Sequence, residues 1–180
     1  MHDCWGSYWK YDNVDHAVCG AHLLRELDGI KEIAPTHTWA CEFGGLFHRM
    51  KSQKEIDILN GKESAGSYYV HKFSKEYDRI MKLADKQCPS PCASNEKMRG
   101  RPKLGKERSL IERLKDLKVS VMRFYTNYNV PFDNNLAERD LRNCKTKSKV
   151  SGCFRSLEGA QHYLDISSYI NRQKEWNQCI

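Results

Sequence analysis

The chain has 180 residues, of which 39% are hydrophobic, 11% aromatic and 29% charged. That is enough for one domain, or a domain carrying an insertion, with a conventional core, and it is too aromatic for whole-chain disorder. No run approaches the ~18 uninterrupted apolar residues of a membrane helix, and Met1-His2-Asp3-Cys4-Trp5 lacks the basic-then-apolar pattern of a secretory leader. A cytoplasmic protein with no membrane partner is expected. The formal charge of +7 is unevenly placed: Ala93 to Arg155 holds 16 Lys or Arg against 7 Asp or Glu, leaving the rest of the chain at −2. A basic segment of this kind suits a polyanion, because each cation set on a phosphate releases condensed counterions. Nucleic acid is therefore the leading partner class, ahead of a merely solvated helix face.

In chain order, His16-Ala17-Val18-Cys19-Gly20 reads as a short buried strand. Ala21 to Ile33 reads as a helix with Leu23, Leu24, Leu27 and Ile30 at helical spacing. A strand running into a helix is an α/β signature. Pro35 ends that helix, and Trp39, Phe43, Leu46, Phe47 and Met50 trace a second. After a break at Gly61 to Gly66, Tyr69, Phe73, Tyr77, Ile80 and Leu83 mark a third that stops before Cys88-Pro89. Residues 88–107 contain three of the five prolines and read as a loop. From Lys106, the positions Leu110, Leu114, Leu117, Val121, Phe124 and Tyr128 predict one long amphipathic helix ending near Asn129. Val130-Pro131-Phe132-Asp133 supplies a turn and a helix start. Two further helices are predicted, about 134–145 and 156–174, joined by Thr146 to Arg155.

The eight cysteines, without a leader, read as reduced thiols, most of them buried. Two spacings suit a metal, Cys19-x-x-His22 and Cys88-x-x-x-Cys92, which together supply four ligands for a structural Zn²⁺ if the fold joins them. The alternative is a turn with unligated thiols. Arg99-Gly100-Arg101-Pro102-Lys103 resembles the AT-hook, an extended backbone laid in a narrow minor groove; the alternative is a basic linker touching phosphate.

The densest chemistry lies in Pro131-Phe132-Asp133-Asn134-Asn135-Leu136-Ala137-Glu138-Arg139-Asp140-Leu141-Arg142, followed by Lys145, Lys147, Lys149 and Val150-Ser151-Gly152-Cys153-Phe154-Arg155. On a helix, Asn135, Glu138, Arg139 and Arg142 share a face, with an acid among bases. By itself this is also the pattern of an ion-paired surface helix. Together with His2-Asp3-Cys4-Trp5, the Cys19-x-Ala-His22 unit and Leu24-Arg25-Glu26-Leu27, however, it resembles the bacterial insertion-sequence-66 transposase family from Asp3 to about Lys174, with residues 35–105 matching loosely.

The resemblance implies an RNase H-like core in which two aspartates and a glutamate hold Mg²⁺ or Mn²⁺ beside the scissile phosphate. Asp3 matches the second aspartate and Glu138 the glutamate. Residues 1–34 and 132–180 would then be parts of a partial α/β fold, made predominantly helical by an insertion over 35–131 that carries the basic loop 93–107. The implied partner is double-stranded DNA, at transposon ends and target, bound by a full-length homo-oligomer at the nucleoid. Arg99, Arg101, Lys103, Arg139, Arg142, Lys145, Lys147, Lys149 and Arg155 are the candidate DNA contacts, and Gly152 is expected to allow close approach. The first aspartate and its strands have no counterpart in these 180 residues, so the chain alone is expected to be inactive, with a non-enzymatic DNA-binding module as the alternative.

Overall fold

A computed structural model describes residues 1–90 and 104–178, apart from the side chains at 136, 137 and 174–178. The described chain is mostly helical: α1 (Gly20–Ile33), α2 (Trp39–Leu59), α3 (Ser67–Gln87), α4 (Lys106–Asp116), α5 (Lys118–Thr126), α6 (Asn135–Val150) and α7 (Leu157–Gln178). A short 3-10 turn, Tyr8–Lys10, precedes them. Two compact units result, Met1–Asp133 and Asn134–Ile180.

The first unit is built on aromatic packing. Leu23, Leu27 and Ile30 recur at four and three residues, so α1 buries one face, and α2 answers with Trp39, Phe43, Leu46, Phe47 and Met50, all fully buried. From α3 come Phe73, Tyr77, Ile80 and Ala84. Phe47 stands at the middle, with ring centroids 5.5 Å from Phe43, 5.2 Å from Phe124 and 5.8 Å from Phe132. Each such ring contributes about 1.5–3 kcal/mol on burial, before any gain from ring geometry.

The single helix expected from Lys106 to Asn129 is instead two, because the chain turns at Leu117. The Tyr77 hydroxyl donates to the Leu114 carbonyl at 2.5 Å, the acceptor that an unbroken helix would offer to the Lys118 N–H. The Lys118 ammonium reaches Asp78 on α3 at 2.6 Å. A hydroxyl inserted from a neighbouring helix thus interrupts a run whose apolar spacing continues unbroken.

The strand expected at His16 to Gly20 is also corrected. Val18 makes one isolated parallel bridge with His2, but its N–H donates to the Ser120 carbonyl of α5 at 3.1 Å. A ladder needs a second strand to continue, and the neighbour here is a helix. Among the described residues there is no sheet, so the expected α/β character appears only in its helical part.

The second unit is a pair of helices. Thr146 to Val150, expected as part of a connection, extends α6, since no breaker precedes Gly152. Gly152 has φ +77°, the left-handed conformation that ends helices; its role is to stop α6. No described side chain of this unit is buried.

Candidate functional site

Asp3 is exposed, and its Oδ1 accepts the Trp5 N–H at 3.2 Å. The backbone on either side is fastened. His2 donates its N–H to the Ala17 carbonyl at 3.0 Å, and its own carbonyl accepts the Cys19 N–H at 2.9 Å. The Cys4 N–H donates to His2 Nδ1 at 3.2 Å. This carboxylate therefore projects from an anchored segment rather than from a loose end.

The motif that leads into α6 is anchored in the same region. The Gly20 N–H donates to the Phe132 carbonyl at 2.8 Å, and the Phe132 ring lies so close that a Cβ at position 20 would sit 2.5 Å from it. Only glycine leaves room for this contact. The two sequence signatures, around Cys19-Gly20 and around Pro131-Phe132, are thus packed on one another.

A pair of charges that the sequence reading passed over grips the same segment. Lys54, 7% exposed, donates to the Phe124 carbonyl at 2.9 Å and the Val130 carbonyl at 2.5 Å. Burial pushes its pKa down. Asp57, 1% exposed, accepts the Tyr128 hydroxyl at 2.6 Å, Lys62 at 2.9 Å and Gln53 at 3.1 Å. The Tyr128 and Lys62 hydrogen bonds hold its carboxyl below the ordinary carboxylate range. A signal was present: Phe43, Phe47, Met50, Lys54 and Asp57 follow a 4-3-4-3 spacing, which places both charges on the core face.

In the second unit, Glu138 lies half-buried in the first turn of α6. Arg142, Lys145 and Lys149 follow at three- and four-residue steps, which puts them on one face. They are exposed and line a cleft with Cys144, Thr146 and Ser148. Among the described residues no ion pair neutralises any of the three, whereas Arg139 stands 4.0 Å from Asp140. Lys147 differs: its ammonium sits 4.5 Å from the centre of the Tyr163 ring and 5.7 Å from that of Phe154, bridging α6 to the turn and α7. Arg155 is exposed on the connecting turn.

Arg99, Arg101, Lys103 and Cys92 lie outside the described residues. Of the other zinc candidates, Cys19 is buried immediately before α1, His22 lies in its first turn, and Cys88 follows α3. Burial, followed by Glu107, pushes the Cys88 thiol up. Among the described residues no three His, Cys, Asp or Glu side chains are grouped so as to hold a metal. Asp3 and Glu138 are hard oxygen donors, right in kind for Mg²⁺, but they belong to different units and the described residues gather no third carboxylate with either. These residues therefore do not by themselves fit a complete Mg²⁺ centre.

A family model described as "Transposase IS66 family" matches residues 1–162, a span that includes Asp3, Glu138 and the basic face of α6. No curated protein and no solved structure matches the chain. Among the described residues no helix is long and apolar enough to cross a membrane.

Proposed function

The chain belongs to the IS66 transposase family, and from that premise we propose that it serves metal-dependent DNA strand cleavage and transfer within an RNase H-like core, at the nucleoid and as part of a homo-oligomer. In this reading Arg142, Lys145 and Lys149 hold the DNA backbone, with Arg139 and Arg155 beside them. Asp3 and Glu138 contribute carboxylates for Mg²⁺ or Mn²⁺. The observation that carries the reading is the cationic face of α6 inside the matched span, where Arg142, Lys145 and Lys149 have no ion pair among the described residues. Three cations aligned on one helix face without carboxylate partners gain little for the fold, but they suit successive phosphates of a duplex. Zn²⁺ at Cys19 and His22 remains a structural proposal, independent of this chemistry.

Two carboxylates are too few to neutralise and orient a pair of divalent ions, so the 180 residues alone are proposed to bind DNA without transferring strands. The test is a strand-transfer and binding assay on the purified chain with a duplex bearing candidate transposon ends. The expected result is tight duplex binding at low salt, with a log–log salt slope of about −2.5 or steeper, and no joined product in Mg²⁺ or Mn²⁺. Metal-dependent joining that E138Q abolishes would overturn the proposed inactivity. A second reading, a DNA-binding module with no catalytic part, is favoured by the lack of a metal-holding trio among the described residues; it predicts that D3N and E138Q leave Mn²⁺ affinity unchanged.

A further inference from the structure

The segment around Asp3 turns between a residue packed on the core, Cys4, and one that stands in solvent, Trp5. Cys4 has φ +67°, a left-handed backbone at a residue with a side chain, and it is the one non-glycine residue of that kind among those described. Such conformations disfavour L-residues and persist where surrounding bonds enforce them, often at functional sites. Here the His2 bonds enforce it, and the consequence is that Trp5 emerges into solvent beside Asp3, 65% exposed.

Trp5 is exposed yet held in place. Its ring meets Tyr8 edge-on, with centroids 5.9 Å apart at 80°. Tyr8, itself 41% exposed, stacks on the buried His2 ring at 4.7 Å and 27°. His2 in turn contacts Trp9 and His16, with centroids at 4.7 and 5.1 Å. Trp9 packs on the hydrophobic core. A chain of rings therefore runs from the core to the exposed Trp5 ring, and Lys10, exposed in the same 3-10 turn, adds a positive charge. The left-handed turn seats Cys4 against the core, and the same turn leaves Trp5 braced in water, which lowers the ordering cost of stacking a flat ligand.

We propose that Trp5, braced edge-on by Tyr8, forms a stacking platform for one unpaired nucleobase of the DNA strand that passes Asp3. Family membership fixes DNA as the partner, and every base offers a π-face to an aromatic side chain. A base beside Asp3 must leave the duplex to reach these rings, so the platform selects locally unpaired DNA over perfect duplex. The inference rests on the reading that Asp3 lies beside the DNA strand, and its test keeps the two separable.

The test compares the 180-residue chain with W5A and W5F on two fluorescein-labelled duplexes, one fully paired and one with a single unpaired 2-aminopurine. Wild type is expected to prefer the unpaired probe, with a fall in 2-aminopurine emission as the base stacks. W5A should lose about tenfold in affinity for that probe alone, with paired-duplex binding unchanged. W5F, which keeps a π-face, should retain most of the preference. Equal affinity for both probes, or equal losses on both in W5A, would overturn the platform while leaving duplex binding by α6 in place. No binding of either probe by wild type would overturn both readings. Because Trp5 is 65% exposed and meets the surface ring of Tyr8 edge-on, an unchanged melting temperature is expected for W5A; a large drop would assign the residue to the fold and contradict the proposal.

Discussion

The two units of the chain use their residues in opposite ways. Met1–Asp133 concentrates its aromatic and aliphatic side chains in one interlocked core and even buries charges, Lys54, Asp57 and Arg108, each with specific partners. Asn134–Ile180 buries none of its described side chains, exposes Leu141, Ile166, Tyr169 and Ile170, and carries Arg142, Lys145 and Lys149 with no ion pair among the described residues. A core of the first kind supplies stability, since apolar burial is the main favourable term in folding. A pair of helices of the second kind leaves an open basic surface, and under the proposed function DNA bound there would add stabilisation only when present. The packed core and the open cationic surface are thus separated along the sequence, with the boundary just after Phe132.

The sharpest way to break this comparison is to remove Phe47. F47A takes away contacts with three rings at a fully buried position and should cost about 3–5 kcal/mol in a urea melt. L157A in the second unit, at a position 90% exposed, should change stability by less than about 0.5 kcal/mol; comparable losses in the two variants would erase the contrast. D57N comes next, at about 2 kcal/mol near neutral pH, because charged hydrogen bonds from Tyr128 and Lys62 are weakened. Its sign with pH is fixed by linkage. The native carboxyl is held below its ordinary value, so its contribution is complete above the unfolded pKa and is lost as pH falls through the folded one. Wild type and D57N should therefore converge in acid, below the ordinary carboxylate range, and parallel melts across that range check it. K147Q comes last among the destabilising variants, above the L157A control, at about 0.5–1 kcal/mol from the lost ring contacts. Hydrogen exchange at residues 151–155 should rise, while the salt slope of DNA binding stays as in wild type.

The parts of the fold that were legible in the sequence are those decided by one helix at a time. The bounds of α1, α2 and α3 follow from apolar spacing and from Pro35, Gly61 and Cys88-Pro89. The break at Leu117 was not legible, because Leu114, Leu117 and Val121 keep helical period across it and the cause is a hydroxyl from α3. The strand reading at His16 to Gly20 failed because an apolar run specifies burial and leaves the hydrogen-bond partner open, and Val18 found a helix carbonyl. The connection was expected to begin at Thr146, yet lysines extend helices well and the stop is Gly152.

At the site, the spacing put Arg142 on a helix face with Asn135, Glu138 and Arg139 and left Lys149 in the connection, so the Arg142–Lys145–Lys149 face emerges only because α6 runs on to Val150. The ring contacts of Lys147 were not legible either, since Phe154 and Tyr163 reach it only across the turn. Gly20 needed the fold as well: nothing in its neighbourhood announces that a phenylalanine 112 positions later rests on it.

The central claim, that α6 presents a phosphate-binding face which the fold itself does not need, is tested most directly by one salt titration. Duplex affinity of wild type and of the R142Q/K145Q/K149Q variant is measured between 50 and 200 mM salt, with melting curves alongside, a range over which phosphate contacts dominate the salt dependence. The account predicts a log–log slope shallower by about 2.7 in the variant, three contacts at roughly 0.9 each, with an unchanged melt. An unchanged slope, or a variant that unfolds, would contradict it.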